Sequence, residues 1–355
     1  MLKNKLKYYF ASEILKSYFF VLITMTLLLW VTQAARYLYL VTEAGIPIDS
    51  YVKYIILLIP KITSQMMIIS FLISMFLNFL KFQSNKELEI YWVSGISKKE
   101  IILLIGKISI LITILAIFFY IVLAPYANGK SRNILANSEF SLVNTLVKKN
   151  NFNSPLKNLT IFVNKNNNKG NLEKVYIFEN NKTIISQKGT VVNIDEKNYL
   201  ELENGIIHEK DEQKKIKSIK FEKTLYDFTK YQSNIITTPK IQEISFLSIL
   251  DTYNKEKNNN YLYEIHKRVF KPLLIPIIAL LCCFNLYANN EKINLNKIKI
   301  IIFSLSIILI IFFEALLNFS SINIYAKYFL YFFPVILSLI TYNILIYFLK
   351  TETTK

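Results

Sequence analysis

The chain of 355 residues is 53% hydrophobic, holds only 7 glycines and carries a formal charge of +17. Its apolar residues gather in long blocks between Lys/Asn-rich stretches, which excludes an ordinary soluble domain and places the chain in the membrane class. Lysine, asparagine and isoleucine rise together everywhere, even in loops with no basic face, so the positive balance reads as compositional bias and membrane-surface attraction ahead of nucleic-acid binding.

Residues Met1 to Lys16 are basic and precede an apolar stretch from about Tyr18 to Leu40. That stretch is too long for a cleavable signal and reads as a retained first span. Gly45 and Pro47 stop it. A second span runs from about Tyr51 to Leu80, kinked near Pro60 and carrying Lys61 at depth. The polar and aromatic segment Ser84 to Ser97 follows, then a third span from about Glu100 to Pro125. From Tyr126 the character changes. Asn128 to Val147 reads as a short amphipathic helix or an extended lead-in, and after it come short alternating runs at 159–163, 174–178, 183–187, 190–194, 199–203, 205–209 and 216–225. Turn clusters such as Asn166 to Gly170, Glu179-Asn180-Asn181 and Asn204-Gly205 separate them, which predicts an antiparallel sandwich or open barrel with Tyr176, Phe178 and Ile184 facing inward. His208 falls on a strand with no second histidine or cysteine near it and reads as structural. Ile241 to Lys257 is helical and leads to spans at about Val269–Tyr287, Ile298–Phe319 and Tyr325–Leu349. Cys282 and Cys283 are adjacent inside an apolar run and point in different directions on a helix, so neither a disulfide framework nor a metal site is indicated.

The fold class is therefore a helical membrane protein with an inserted all-β domain, three spans on either side. Residues 1–125 hold spans one to three, 126–263 the β domain with flanking helices, and 264–355 spans four to six. Lys3, Lys5, Lys7, Lys81, Lys86, Lys98, Lys99, Lys292, Lys297, Lys299, Lys350 and Lys355 fall on one side; the short loops opposite hold only Lys327. By the positive-inside rule both termini are cytoplasmic and the β domain is outside.

Three groups of residues invite chemistry. The segment at about 84–95 predicts a helix with Ser84 as cap, Glu87 at the capping-box position and Gly95 at its end. Leu88, Tyr91 and Trp92 then form an exposed stripe, either for a groove on a partner or for the headgroup layer. Arg36, near the outer end of the first span, suits a phosphate with two parallel hydrogen bonds, or snorkels to ordinary phospholipid. Glu314 lies at similar depth in the fifth span and needs a wet cavity or a cation, which predicts a cavity cluster of Arg36, Lys61 and Glu314. His266, Lys267 and Arg268, where the chain returns to the membrane, form a basic patch that guides an anionic head group or anchors the interface. No phosphate-binding loop, GxSxG, HExxH or Cys/His metal spacing is present, so the chain reads as a non-enzyme.

With topology in place, RYLYLVTEAGIP at 36–47, KELEIYWVSGIS at 86–97 and EIHKRVFKPLLIP at 264–276, in this order, resemble the lipopolysaccharide-export permease family of LptF/LptG type, and more the F type. The resemblance covers essentially the whole chain. It implies a bacterial inner-membrane subunit with a periplasmic β-jellyroll-like domain, paired with a related permease (LptG type, or LptF should this be the G type). A cytoplasmic LptB-type ATPase dimer would bind ATP and Mg, so that this chain needs no cofactor. LptC/LptA-type proteins would form the periplasmic bridge that receives extracted lipopolysaccharide. By the same resemblance Glu87 contacts the ATPase, and Arg36 meets the substrate's lipid A phosphate. A second class, a membrane scaffold that passes a signal from a cytoplasmic partner to a periplasmic effector, needs no charges facing a membrane cavity.

Overall fold

The computed structural model describes residues 2–42, 46–145, 152–156, 159–167, 171–179, 182–194, 197–210, 216–227, 239–287 and 295–353. Gly45, Gly170, Asn180, Asn181, Lys292 and Lys355, all used above, lie outside them. Two compact units divide the chain: Met1–Thr32, Leu57–Gly129 and Lys240–Lys355 form one, Gln33–Ile56 and Lys130–Pro239 the other.

Among the described residues six helical stretches are long and apolar enough to cross a membrane. Helices suit that environment because each satisfies its own backbone where no water is present. The first, α1 (Leu2–Tyr37), begins well before the apolar stretch, because Phe10, Ile14 and Tyr18 repeat at helical spacing and are all buried. After the short α2 (Tyr39–Thr42), the second span is broken as expected: α3 (Ile48–Leu57) ends at a turn, and α4 (Ile59–Ser84) restarts with Pro60 in its first positions, where a missing N–H is tolerated. Helix α5 (Glu87–Val93) separates α4 from α6 (Lys98–Phe118).

The third span does not stop at Pro125. A five-residue π-helical turn, Phe119–Leu123, joins α6 to α7 (Ala124–Thr145). Pro125 would clash with the carbonyl four residues back in a regular helix, and the widened turn just before it relieves that clash. The stretch read as a lead-in is thus helical as far as Thr145 and continuous with the span. After α8 (Phe246–Glu256), the fourth span begins at Asn259 rather than near Val269. It comprises α9 (Asn259–Phe270), a 3₁₀ turn holding Pro272, and α10 (Leu274–Cys283). Asn258 caps it, its Oδ1 accepting from Asn260 N at 3.0 Å. Helices α11 (Leu295–Ser320) and α12 (Ile324–Thr353) complete the bundle.

In the other unit, strands β1 (Phe152–Leu156), β2 (Leu159–Asn167), β3 (Asn171–Glu179), β4 (Lys182–Ile194), β5 (Lys197–Lys210) and β6 (Ile216–Asp227) form one antiparallel sheet in sequence order. This is a meander, and no Greek-key crossover of a jellyroll occurs among the described strands. β1, which carries Pro155, was not anticipated. Two pairs of predicted short strands are single long ones, β4 and β5, so Asn204-Gly205 is not a turn.

What those turn signals mark instead is a crease. Lys174 on β3 and Asn204 on β5 have left-handed φ values of 53° and 51°. Register is unbroken on either side, which puts both in one row across the sheet with Gln187 of β4. The inside-outside alternation reverses at that row: Val175 and Ile177 are buried before it on β3 but Leu172 beyond it, and on β4 Ile184 and Ser186 give way to Gly189. The sheet folds over there, since the Tyr226 hydroxyl of β6 donates to Glu179 Oε2 of β3 at 3.2 Å although two strands lie between them. Residues from both halves share one core, including Val163, Val175, Ile177, Leu200 and Leu202. A single meander therefore makes the two layers that the strand spacing predicted. Ile184 faces this core as expected; Tyr176 and Phe178 do not, because they alternate with Val175 and Ile177 and emerge on the opposite face. His208 lies on β5 with its Nδ1 2.8 Å from Ser218 Oγ on β6.

Gly205 lies under the Phe221 ring. A Cβ there would come within 2.3 Å of that ring and 2.4 Å of the Ile185 carbonyl, whereas one on Gly106 would meet nothing within 4 Å. Gly205→Ala is expected to destabilise the β unit by about 1–3 kcal/mol, seen as faster limited proteolysis of that unit, while Gly106→Ala leaves proteolysis unchanged.

Candidate functional site

Two sites are built within the helical unit. The first is α5. Ser84 is not its cap: α4 runs through Ser84, whose hydroxyl donates back to the Lys81 carbonyl at 3.0 Å. Lys86, at φ 56°, reverses the chain, so α5 starts at Glu87. The Asn85 amide donates to Glu87 Oε1 at 3.0 Å and holds that carboxylate at the first turn, where the helix dipole favours it. Gly95 ends the helix as predicted. With φ +74° it follows Ser94, and Gly95 N donates to the Trp92 carbonyl at 2.9 Å while Ile96 N donates to that of Tyr91 at 3.0 Å.

The expected exposed stripe is turned inward. Leu88 and Tyr91 are 3% and 2% exposed and Trp92 is half-buried. The reason is the neighbouring first span: Phe10 stacks on Phe82 with ring centroids 4.8 Å apart and meets the edge of Tyr91 at 5.6 Å. Burial pushes the Tyr91 phenol above its ordinary pKa. Around this joint, Lys3 Nζ donates to the Gly95 carbonyl at 2.8 Å, Lys7 pairs with Glu100 at 2.5 Å, and Lys81 pairs with Glu13 at 2.5 Å. The face left outside comprises Glu89, Ile90 and Val93, with Ile90 55% and Val93 89% exposed. Sequence reasoning missed it by following the largest side chains; the signal was Glu89, Ile90 and Val93 at positions one and four apart.

The second site lies where the chain returns to the membrane. The three basic residues there do not form a surface patch, because successive residues on α9 point in different directions. His266 is 1% exposed, its Nδ1 2.8 Å from Ser320 Oγ and its Nε2 3.1 Å from the Tyr331 hydroxyl. Arg268, also 1% exposed, pairs with Glu264 at 3.0 Å and donates to the Ile244 and Ile241 carbonyls at 2.9 and 3.2 Å. Lys267 instead turns toward a cavity lined by Lys61, Ser64, Tyr120 and Glu264. Glu314, whose partner was expected among Arg36 and Lys61, pairs with Lys271 at 2.6 Å. Lys271 was overlooked because it directly precedes Pro272 at what was taken for the membrane edge. Arg36 belongs to the other unit, exposed near the end of α1. There the Tyr51 hydroxyl donates to the Ala34 carbonyl at 2.7 Å and Tyr37 meets Tyr54 edge-on at 5.3 Å.

Spans of this length, with a β unit inserted between the third and fourth of them in the sequence, mark an integral membrane protein. Residues 8–348 match the family described as "Lipopolysaccharide export system permease LptF/LptG", and the chain belongs to that family. It is also 23% identical over 266 residues to the uncharacterized protein RP871 of Rickettsia prowazekii (strain Madrid E), covering 72% of this chain and 69% of that protein.

Removing Arg268 leaves Glu264 buried without its main partner and two carbonyls without a donor. Arg268→Ala is expected to cost about 3–5 kcal/mol, read as loss of monodisperse protein after detergent extraction. Lys53→Ala, which breaks a pair exposed on both sides, leaves the yield unchanged.

Proposed function

We propose that this chain is a transport subunit of an ATP-driven complex that extracts lipopolysaccharide from the inner membrane and hands it to a periplasmic bridge. The lysine distribution supports an orientation with both termini and α5 in the cytoplasm and the β unit in the periplasm. The working partners are a cytoplasmic ATPase dimer, which binds ATP and Mg, a second permease of the same family, and bridge proteins with a membrane anchor.

The observation that carries this reading is α5. In a chain of this family, a short helix fixed between two spans by buried Leu88 and Tyr91 offers Glu89, Ile90 and Val93 outward. A partner that closes on ATP and grips this face moves α1 and α4 with it, because the aromatic joint ties α5 to them. Glu87, held by Asn85, adds a negative charge at the edge of that surface. Arg36, exposed near the end of α1, is the group we assign to the phosphate of the substrate's head. The helices narrow a lipid-facing space and the creased β sheet receives what leaves it.

Gentle purification of the tagged chain from its native membranes tests the assembly. An ATPase, a related permease and lipopolysaccharide are expected with the wild type, and about tenfold less ATPase with Val93→Asp. Recovery of non-ATPase partners alone contradicts transport and favours the scaffold. Arg36→Glu is expected to keep the ATPase but to retain about tenfold less lipopolysaccharide; unchanged lipid recovery removes Arg36 from the substrate path.

A further inference from the structure

We infer that the groove between α1 and α4, at the end of the bundle nearest α5, binds the phosphoethanolamine head of a membrane phospholipid. Glu13, Lys16, Ser17 and Phe20 line it on α1, and Leu77, Asn78 and Lys81 line it on α4. The two helices are held together by Phe10 on Phe82 and, further along, by Tyr18 edge-on to Phe71 at 6.0 Å. The space open to the centre of a water-sized sphere is about 290 Å³, against about 10–15 Å³ for one water. That is room for a small organic group.

Two acceptors in this groove lack a donor. Asn78 is 4% exposed and its amide donates to the Ser74 carbonyl at 2.8 Å, yet its Oδ1 accepts nothing among the described residues and keeps surface that solvent can reach. Glu13 gives Oε2 to Lys81 at 2.5 Å, while Oε1 has Lys16 only at 3.9 Å, beyond hydrogen-bond reach. A carboxamide oxygen and a carboxylate oxygen in one groove suit a primary ammonium with its three N–H donors. Lys16 and Lys81, whose side chains are 73% and 45% exposed at the rim, suit the phosphodiester beside it. Glu87 also acts on Lys81, so two lysines face two carboxylates and the groove matches a head with no net charge. From Glu13 to Phe20 it follows two turns of α1, about 10 Å at the rise of a helix. Its deeper end is formed by Phe20 and Leu77, both exposed, where acyl chains would begin. A phosphatidylcholine head has no N–H to give Asn78 and Glu13, and phosphatidylglycerol brings an unbalanced negative charge.

The test places the full chain in nanodiscs of equal parts phosphatidylethanolamine, phosphatidylglycerol and phosphatidylcholine with matched acyl chains. Native mass spectrometry then counts the lipids that stay on the released chain. The wild type is expected to retain phosphatidylethanolamine in preference to the other two, and Asn78→Leu, which keeps the side chain's size, to retain about tenfold less of it. Lys16→Met, on an exposed side chain, is expected to lose the same lipid and decides the matter by the same criterion if Asn78→Leu is not recovered. Equal retention of the three lipids, retention of none, a preference for phosphatidylglycerol, or a preference that the variant leaves unchanged overturns the proposal. The measurement needs no ATPase partner, so failure here leaves the transport reading standing.

Discussion

The packing of Phe10 against Phe82 and Tyr91 is the contact on which the helical unit's working end depends. The start of α1 meets the end of α4 and the helix α5, some seventy residues further along the chain, in one buried aromatic group. Aromatic pairs of this kind contribute about 0.5–1.5 kcal/mol each beyond their burial. The lysine contacts at Gly95, Glu100 and Glu13 surround this group with polar restraints. A seven-residue helix has no stability of its own in water. Its conformation is imposed by that packing, which is what makes it able to transmit force.

Deeper in the bundle a second constraint governs. Ionic side chains among apolar helices must find partners inside the protein, and most do. Arg268 is fully committed, Glu314 holds Lys271, and His266 bridges two spans through Ser320 and Tyr331. Lys61 and Lys267 instead line a cavity beside Tyr120 and Glu264.

Much of the architecture was legible in the chain. Blocks of apolar residues located all six spans, Pro60 marked a real break, and Gly95 marked a real helix end. What failed did so for identifiable reasons. Span four was read too short because Glu264, His266, Lys267 and Arg268 look like loop residues until their partners are known. Ser84 was read as a cap because its type is right; the left-handed Lys86, invisible in composition, decides the boundary. Asn204-Gly205 carries a strong turn signal, and its left-handed residue is indeed present, but neighbouring strands hold it in register and convert a turn into a crease. Tyr176 and Phe178 were chosen for size where alternation should have decided.

The central claim is that α5 presents Val93 and Ile90 to an ATPase while Leu88 and Tyr91 belong to this chain's own core. Site-specific photo-crosslinking in native membranes measures it directly, with the probe placed in turn at positions 88, 90, 91 and 93. The account predicts crosslinks to a cytoplasmic ATPase from positions 90 and 93, and none from 88 or 91. Crosslinking from 88 and 91 with silence at 90 and 93 would mean that the aromatic joint opens to receive the partner, and would contradict it.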